Sequence, residues 1–221
     1  MKKTLVCKIF IALAVVSLFA TSALAQKGAD GFNRTALGSG WVVTSGTLSI
    51  SNHQMVGSRE GLGYIKSSTL NKATAASVVV FLNSTDLEYG AVALGNIAGG
   101  NNAFVKIQAQ DGTGTFDTAA FYTGNNGGGN FFTLSSAVPS PAVLDVFFCG
   151  TVATMRITSA AGVQTYTNDY GTKFGVGGGL GTFGSVGLDN YDGFASGCHD
   201  APVHGIPASQ MPSATDRTLV K

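Results

Sequence analysis

Charge is what this sequence has least of: 12 acidic and 13 basic side chains make up 11% of 221 residues, and the formal net charge is +1. Nowhere do lysines and arginines gather into the cluster that neutralising nucleic-acid phosphates requires, so DNA and RNA are excluded as partners. Long apolar runs are missing too. The longest, Ile9 to Ala20, falls well short of the roughly 20 residues that cross a bilayer as a helix. Sustained three-four spacing of apolar residues is absent, which argues against amphipathic helices. What is present is 44% hydrophobic and 10% aromatic residues with 31 glycines. That hydrophobic content at almost no net charge excludes a disordered chain. The glycines lack the one-in-three period of collagen, so a turn-rich globular protein remains.

Residues 1–25 place Lys2, Lys3 and Lys8 around the start of that apolar run and end on Ala23-Leu24-Ala25. This is the order of a secretory signal peptide: charged, then apolar, then small residues at a cleavage site. Cleavage after Ala25 is expected to leave residues 26–221 as a soluble secreted or periplasmic chain. Gln26 is not the cysteine that lipid anchoring takes. The leader holds three cations and no acid, so the exported chain carries a net charge of −2. Cys7 leaves with it, and Cys149 and Cys198 remain in an oxidising setting. One disulfide between these two would stabilise the fold by about 3–4 kcal/mol in the chain-entropy model; two free buried thiols are the competing reading. Residues 26–196 read as one domain, and residues 197–221, with Pro202, Pro207 and Pro212, as an irregular C-terminal tail.

Within the domain, short alternating apolar and polar runs recur between turn residues, the pattern of an all-β chain. Strands are expected at Trp41–Thr44, Thr47–Ser51, Gln54–Gly57, Gly63–Lys66, Ala76–Asn83, Tyr89–Gly95, Phe104–Gln110, Thr115–Tyr122, Phe131–Leu134, Ala142–Cys149, Thr151–Ser159, Val163–Thr167 and Gly184–Leu188. The breaks carry Ser45-Gly46, Gly99 to Asn102, Asp111-Gly112, Gly124 to Gly127 and Ala161-Gly162, residues that tolerate the positive φ of tight hairpins. In Phe104–Gln110, Lys106, Gln108 and Gln110 fall on one face and Val105, Ile107 and Ala109 on the other, a half-buried antiparallel strand. Val78–Leu82 and Val143–Phe148 are nearly continuous apolar, as in the middle of packed sheets. A dozen strands without crossover helices predict a two-sheet antiparallel β-sandwich.

The opening segments Asp30-Gly31-Phe32-Asn33-Arg34, Leu37-Gly38-Ser39-Gly40-Trp41 and Ser45 to Asn52, with the closing Gly187-Leu188-Asp189-Asn190-Tyr191-Asp192-Gly193-Phe194, carry a resemblance. They resemble the first and last strands of bacterial laminin-G-like domains of the concanavalin A-like lectin and glucanase superfamily. The resemblance spans about residues 28–196 and implies a jelly roll whose last strand lies beside the first, with one concave sheet able to hold an extended glycan. It also implies a structural calcium near that join, where Asp30 and Asp192 would offer the oxygen ligands calcium prefers. The alternative is that both are turn residues. Trp41 matches the position of a buried aromatic.

The glucanase branch of that superfamily carries Glu-x-Asp-x-Glu on a concave strand. Ser84-Thr85-Asp86-Leu87-Glu88 matches two of the three carboxylates, and Ser84 stands where the retaining nucleophile belongs, so Asp86 and Glu88 read better as turn and surface residues. Gly179-x-Gly181-x-x-Gly184 has the letters of a dinucleotide fingerprint without the following helix and reads as a glycine-rich loop. Cys198-His199-Asp200 with His204 fits no zinc spacing. The best sugar-binding constellation is Tyr122 beside Asn125, Asn126 and Asn130, a ring for a sugar's apolar face with amides for its hydroxyls.

The expectation is therefore a secreted, non-catalytic module that binds a glycan or another extracellular ligand. A structural or adhesive surface protein working through protein contacts is the alternative from a different class, and a polysaccharide hydrolase is the enzymatic one.

Overall fold

The computed structural model describes residues 27–57, 60–66, 73–85, 87–124 and 127–195, with the backbone alone for 27, 28 and 194. These form fifteen strands: β1 Lys27–Asp30, β2 Trp41–Ser45, β3 Leu48–Ser51, β4 Gln54–Gly57, β5 Gly61–Ile65, β6 Ala75–Phe81, β7 Glu88–Asn96, β8 Asn101–Ala109, β9 Thr115–Thr123, β10 Gly129–Pro139, β11 Ala142–Cys149, β12 Val152–Ser159, β13 Gly162–Asp169, β14 Gly178–Phe183 and β15 Gly187–Phe194. No helix occurs among the described residues, and therefore none there that could cross a membrane.

Two antiparallel sheets result. One runs β13-β12-β11-β6-β15-β4-β3, with β1 also paired to β15; the other runs β10-β9-β8-β7-β14-β5-β2. The last strand does lie beside the first, in the register Ala29 to Asp192 and Asp30 to Tyr191. Between the sheets a single core gathers the inward residues of both, among them Val78, Val80, Val92, Leu94, Val105, Ile107, Phe121, Leu144, Met155, Leu180 and Leu188. Trp41 belongs to it, 5.8 Å from Phe32 and 5.5 Å from Tyr191 between ring centroids. The sandwich is the all-β architecture the alternation predicts, and its first strand paired with its last is the jelly-roll arrangement the resemblance implies.

Turn chemistry sits where expected, since Gly46, Gly100, Gly112, Gly124 and Gly162 all have positive φ. On one side of the sandwich the edge strands β10 and β13 are bridged by side chains: Tyr166 Oη accepts from Ser135 N at 2.8 Å, Gln164 Nε2 donates to Ser136 O at 2.9 Å, and Asn130 Nδ2 donates to Asn168 Oδ1 at 2.5 Å. Such polar bridging occupies edges that would otherwise invite another strand.

Two segments differ from the sequence reading. The strand expected at Gly184–Leu188 straddles the turn between β14 and β15, and the supposed glycine-rich loop is β14 itself, buried from Gly178 to Thr182. The reason is close packing. A Cβ on Gly181 would overlap the ring of Phe104, and one on Gly179 the carbonyl of Gly63, so glycine here serves a crowded strand rather than a turn. Glu88, read as a surface residue, is fully buried.

Candidate functional site

β7 and β8 pair with Tyr89 opposite Gln108, Ala91 opposite Lys106 and Ala93 opposite Phe104. β8 and β9 pair with Phe104 opposite Tyr122, Lys106 opposite Ala120 and Gln108 opposite Thr118. Alternation turns Val105 and Ile107 into the core, so Phe104, Lys106 and Gln108 stand together on the outer face. Because Lys106 has alanine on both sides, its stem lies diagonal to Tyr89 on one neighbour and Tyr122 on the other. Its Nζ rests 4.2 Å from the Tyr89 ring centroid and 5.2 Å from that of Tyr122, a cation held between two ring faces.

β14 and β5 extend this face. Gly181 lies between Ala91 and Leu62, and Gly179 between Ala93 and Tyr64. Residues without bulk leave a floor over which the Phe104 ring lies. Phe183 stacks on Tyr89 at 5.5 Å and 17°, and Tyr89 meets Phe104 edge-on at 5.9 Å. The outcome is a trough whose floor of Leu62, Tyr89, Ala91, Ala93 and Phe104 is buried. Its walls, Glu60, Tyr64, Tyr122 and Phe183, are half-buried. Phe131 on β10, 44% exposed, continues the row beyond Ala120.

Among the described residues the polar groups of the trough are few. Tyr89 Oη donates to Glu60 Oε1 at 2.8 Å. Gln108 is 4% exposed, and its Oε1 has no hydrogen-bond partner. Lys106 is 7% exposed; burial holds its pKa below the usual lysine range, opposed by the nearby negative charge of Glu60. An aromatic trough with buried donors and acceptors can take a polyhydroxylated chain, stacking rings against its apolar faces.

Of the residues singled out from sequence, Tyr122 belongs to this trough. Asn130 does not join it: it pairs with Phe121 rather than Tyr122 and turns to Asn168 across the sandwich edge. Asn125, Asn126 and Asp86 lie outside the described residues, as do residues 1–26, Cys198 and the tail. Cys149 closes β11 at the surface. The trough itself was not read from the sequence, since β5 and β14, distant in the chain, join the consecutive strands β7, β8 and β9 to form it. The one local signal was the polar side of Phe104–Gln110, whose Lys106 and Gln108 prove buried.

Asp30 and Asp192 do not fit a shared calcium. The register puts Asp30 beside the buried Tyr191 and Asp192 beside Ala29, so alternation turns the two carboxylates to opposite faces. Asp30 is already saturated: Arg34 Nη1 and Nη2 donate to its two oxygens at 2.6 Å each, Trp41 Nε1 at 2.7 Å and Phe32 N at 2.9 Å. Burial pushes this carboxyl up, but those bonds outweigh it and hold its pKa below the usual range. Calcium would have to displace an arginine. Among the described residues no three His, Cys, Asp or Glu side chains gather where a metal could sit.

Glu88 accepts from Asn83 N at 3.0 Å, Ser84 Oγ at 2.9 Å and Ser185 N at 3.0 Å, and from Ser185 Oγ. It ties the β6–β7 turn to the β14–β15 turn, on the opposite side of β7 from Tyr89. The glucanase-like pattern therefore does not bring this carboxylate to the trough.

No family model matches the chain, and no curated protein matches it in sequence. Solved structures match in fold. The apo form of the transglycosylase Crh5 superposes with a TM-score of 0.52 at 13% identity, over 78% of this chain and 85% of that one. The carbohydrate-binding module CBM66 from Bacillus subtilis gives 0.49 at 14%, over 70% and 95%. Lectin II from Ulex europaeus gives 0.49 at 10%, over 76% and 97%. At these identities the likeness is one of fold alone.

Proposed function

We propose that this chain is a secreted glycan-binding module that holds its ligand along the outer face of the seven-stranded sheet. The observation that carries the reading is the trough itself: rings of Tyr64, Tyr122 and Phe183 beside a buried floor of Tyr89, Phe104, alanine and glycine, with the buried oxygen of Gln108 lacking a donor. Rings stack on a pyranose and polar groups fix its hydroxyls. A carbohydrate-binding module and a lectin share the sandwich, which agrees with the reading without carrying it. The signal-peptide pattern of residues 1–25 supports export, and a Cys149–Cys198 disulfide would suit the exported chain. The opening and closing segments lead us to assign the laminin-G-like branch.

A glycan array probed with residues 26–221 and with Tyr64→Ala and Tyr122→Ala tests this. Saturable binding to a defined glycan, weakened tenfold or more in the variants, is expected; tenfold corresponds to about 1.4 kcal/mol. Silence of the folded protein across a broad array would overturn the reading in favour of a structural or adhesive protein.

A further inference from the structure

The trough contains a charge that no described residue pairs with directly. Lys106 Nζ touches two ring faces but makes no hydrogen bond or ion pair among the described residues. Ring faces attract a cation without accepting its three N–H bonds. Glu60 supplies an attractive field while its Oε1 accepts from Tyr89 Oη. Two residues further along the same strand, a backbone spacing of roughly 7 Å, stands Gln108, whose Oε1 is buried with no donor. Buried groups in this state are costly to a fold. Alanines stand beside Lys106 on both neighbouring strands.

The two demands differ in kind. At Lys106 the missing partner is an acceptor, and a charged one compensates a desolvated ammonium better than a neutral one. At Gln108 the missing partner is a donor. A neutral sugar meets the second demand and only half of the first. A hexuronate meets both, because its carboxylate and its ring hydroxyls are separated by about the width of one pyranose.

We propose that the trough selects a carboxylated glycan, a polyuronate, with Lys106 Nζ taking the carboxylate and Gln108 Oε1 accepting from a hydroxyl of the same or the adjoining sugar. This deepens the glycan-binding reading and rests on it. Lys106 is the specificity-determining residue, and the aromatic walls bind sugar of either charge.

The test is calorimetric titration of residues 26–221 with an oligogalacturonate, with an oligomannuronate, with the methyl ester of the first and with a neutral cello-oligosaccharide of equal length. At least one free acid is expected to bind tenfold or more tighter than the ester and the neutral chain, with a preference that shrinks as salt is raised. Lys106→Met should remove that preference, and Lys106→Arg should retain most of it, in proteins whose thermal unfolding remains cooperative. The ester comparison needs no variant, so it decides the matter even where a substitution perturbs folding. Equal binding of acid and ester, or preference for the neutral chain, would overturn the charge assignment while leaving glycan binding intact. Absence of binding to every oligosaccharide, with silence on the broad array, would overturn both.

Discussion

On the outer face of the eight-stranded sheet, Asp145 stands directly opposite Arg156. The guanidinium donates twice to one carboxylate oxygen, Nε at 2.9 Å and Nη2 at 2.7 Å. On the outer face of the seven-stranded sheet, Lys106 lies just as deep and finds only ring faces. Both faces belong to central antiparallel strands with the same alternation, so the contrast is one of side-chain choice rather than of backbone. Where a buried charge is paired and hydrogen bonded, the face serves the fold. Where a buried charge and a buried amide oxygen stay without a hydrogen-bond partner beside a floor of alanine and glycine, the face does not serve the fold alone, which is what the proposed ligand site rests on. Glu88 shows the first treatment again, a fully buried carboxylate with every donor supplied by neighbouring turns.

Substitutions that treat the two faces alike should have unlike results. The largest effect is expected for Asp145→Ala, which removes the carboxylate that Arg156 Nε and Nη2 donate to; a loss of about 3 kcal/mol by chemical denaturation follows from breaking a buried pair by removing one partner. A loss below about 1 kcal/mol would erase the contrast. Gly181→Ala should cost about 1–3 kcal/mol because its methyl overlaps Phe104 and the strand must shift, and ligand binding should fall with it, since the trough floor is displaced.

Lys106→Met should be neutral or stabilising by up to about 1 kcal/mol near neutral pH, because it removes an uncompensated buried charge. The sign of its pH dependence follows from linkage. The folded-state pKa of Lys106 is depressed, so between that value and about 10.4 the unfolded chain binds more protons and stability rises with pH. That rise should be missing in Lys106→Met, as measured by denaturation across pH 8 to 11. The smallest effect is expected from a chelator, which should leave the melting temperature and glycan binding unchanged because Arg34 occupies the carboxylate of Asp30. Acid should act there instead: Asp30, with its pKa lowered in the fold, contributes stability at neutral pH that is lost as pH drops below about 4 and through its folded value, and Asp30→Asn should flatten that loss.

Strand content was readable wherever pattern and burial agree. Gln54–Gly57 and Ala142–Cys149 fall on the expected residues, since alternation or continuous apolarity leaves one reading for them. The reading faltered where one residue type serves two purposes. Glycine marks a turn at Gly112 and Gly162 by its positive φ, but in β14 it yields to the ring of Phe104 and the backbone of β5, and nothing local separates these uses. A glutamate reads as surface until the serines that satisfy it are known, and Ser185 lies 97 residues from Glu88.

By itself the sequence determined an all-β sandwich, because a period of two, frequent turn residues and the lack of helical spacing leave no other way to bury 44% hydrophobic residues. It also put Lys106 on the face of its strand opposite Val105 and Ile107, since alternation is a property of the strand. Only the tertiary structure decided that Tyr122 shares that face and meets Lys106 there. The diagonal contact of Tyr89, Lys106 and Tyr122 depends on the registers of three strands, and register is fixed by turns and packing along the whole sheet rather than by any one segment. The same is true of the two aspartates at the join of first and last strands, which a shift of one residue would have turned to a common face.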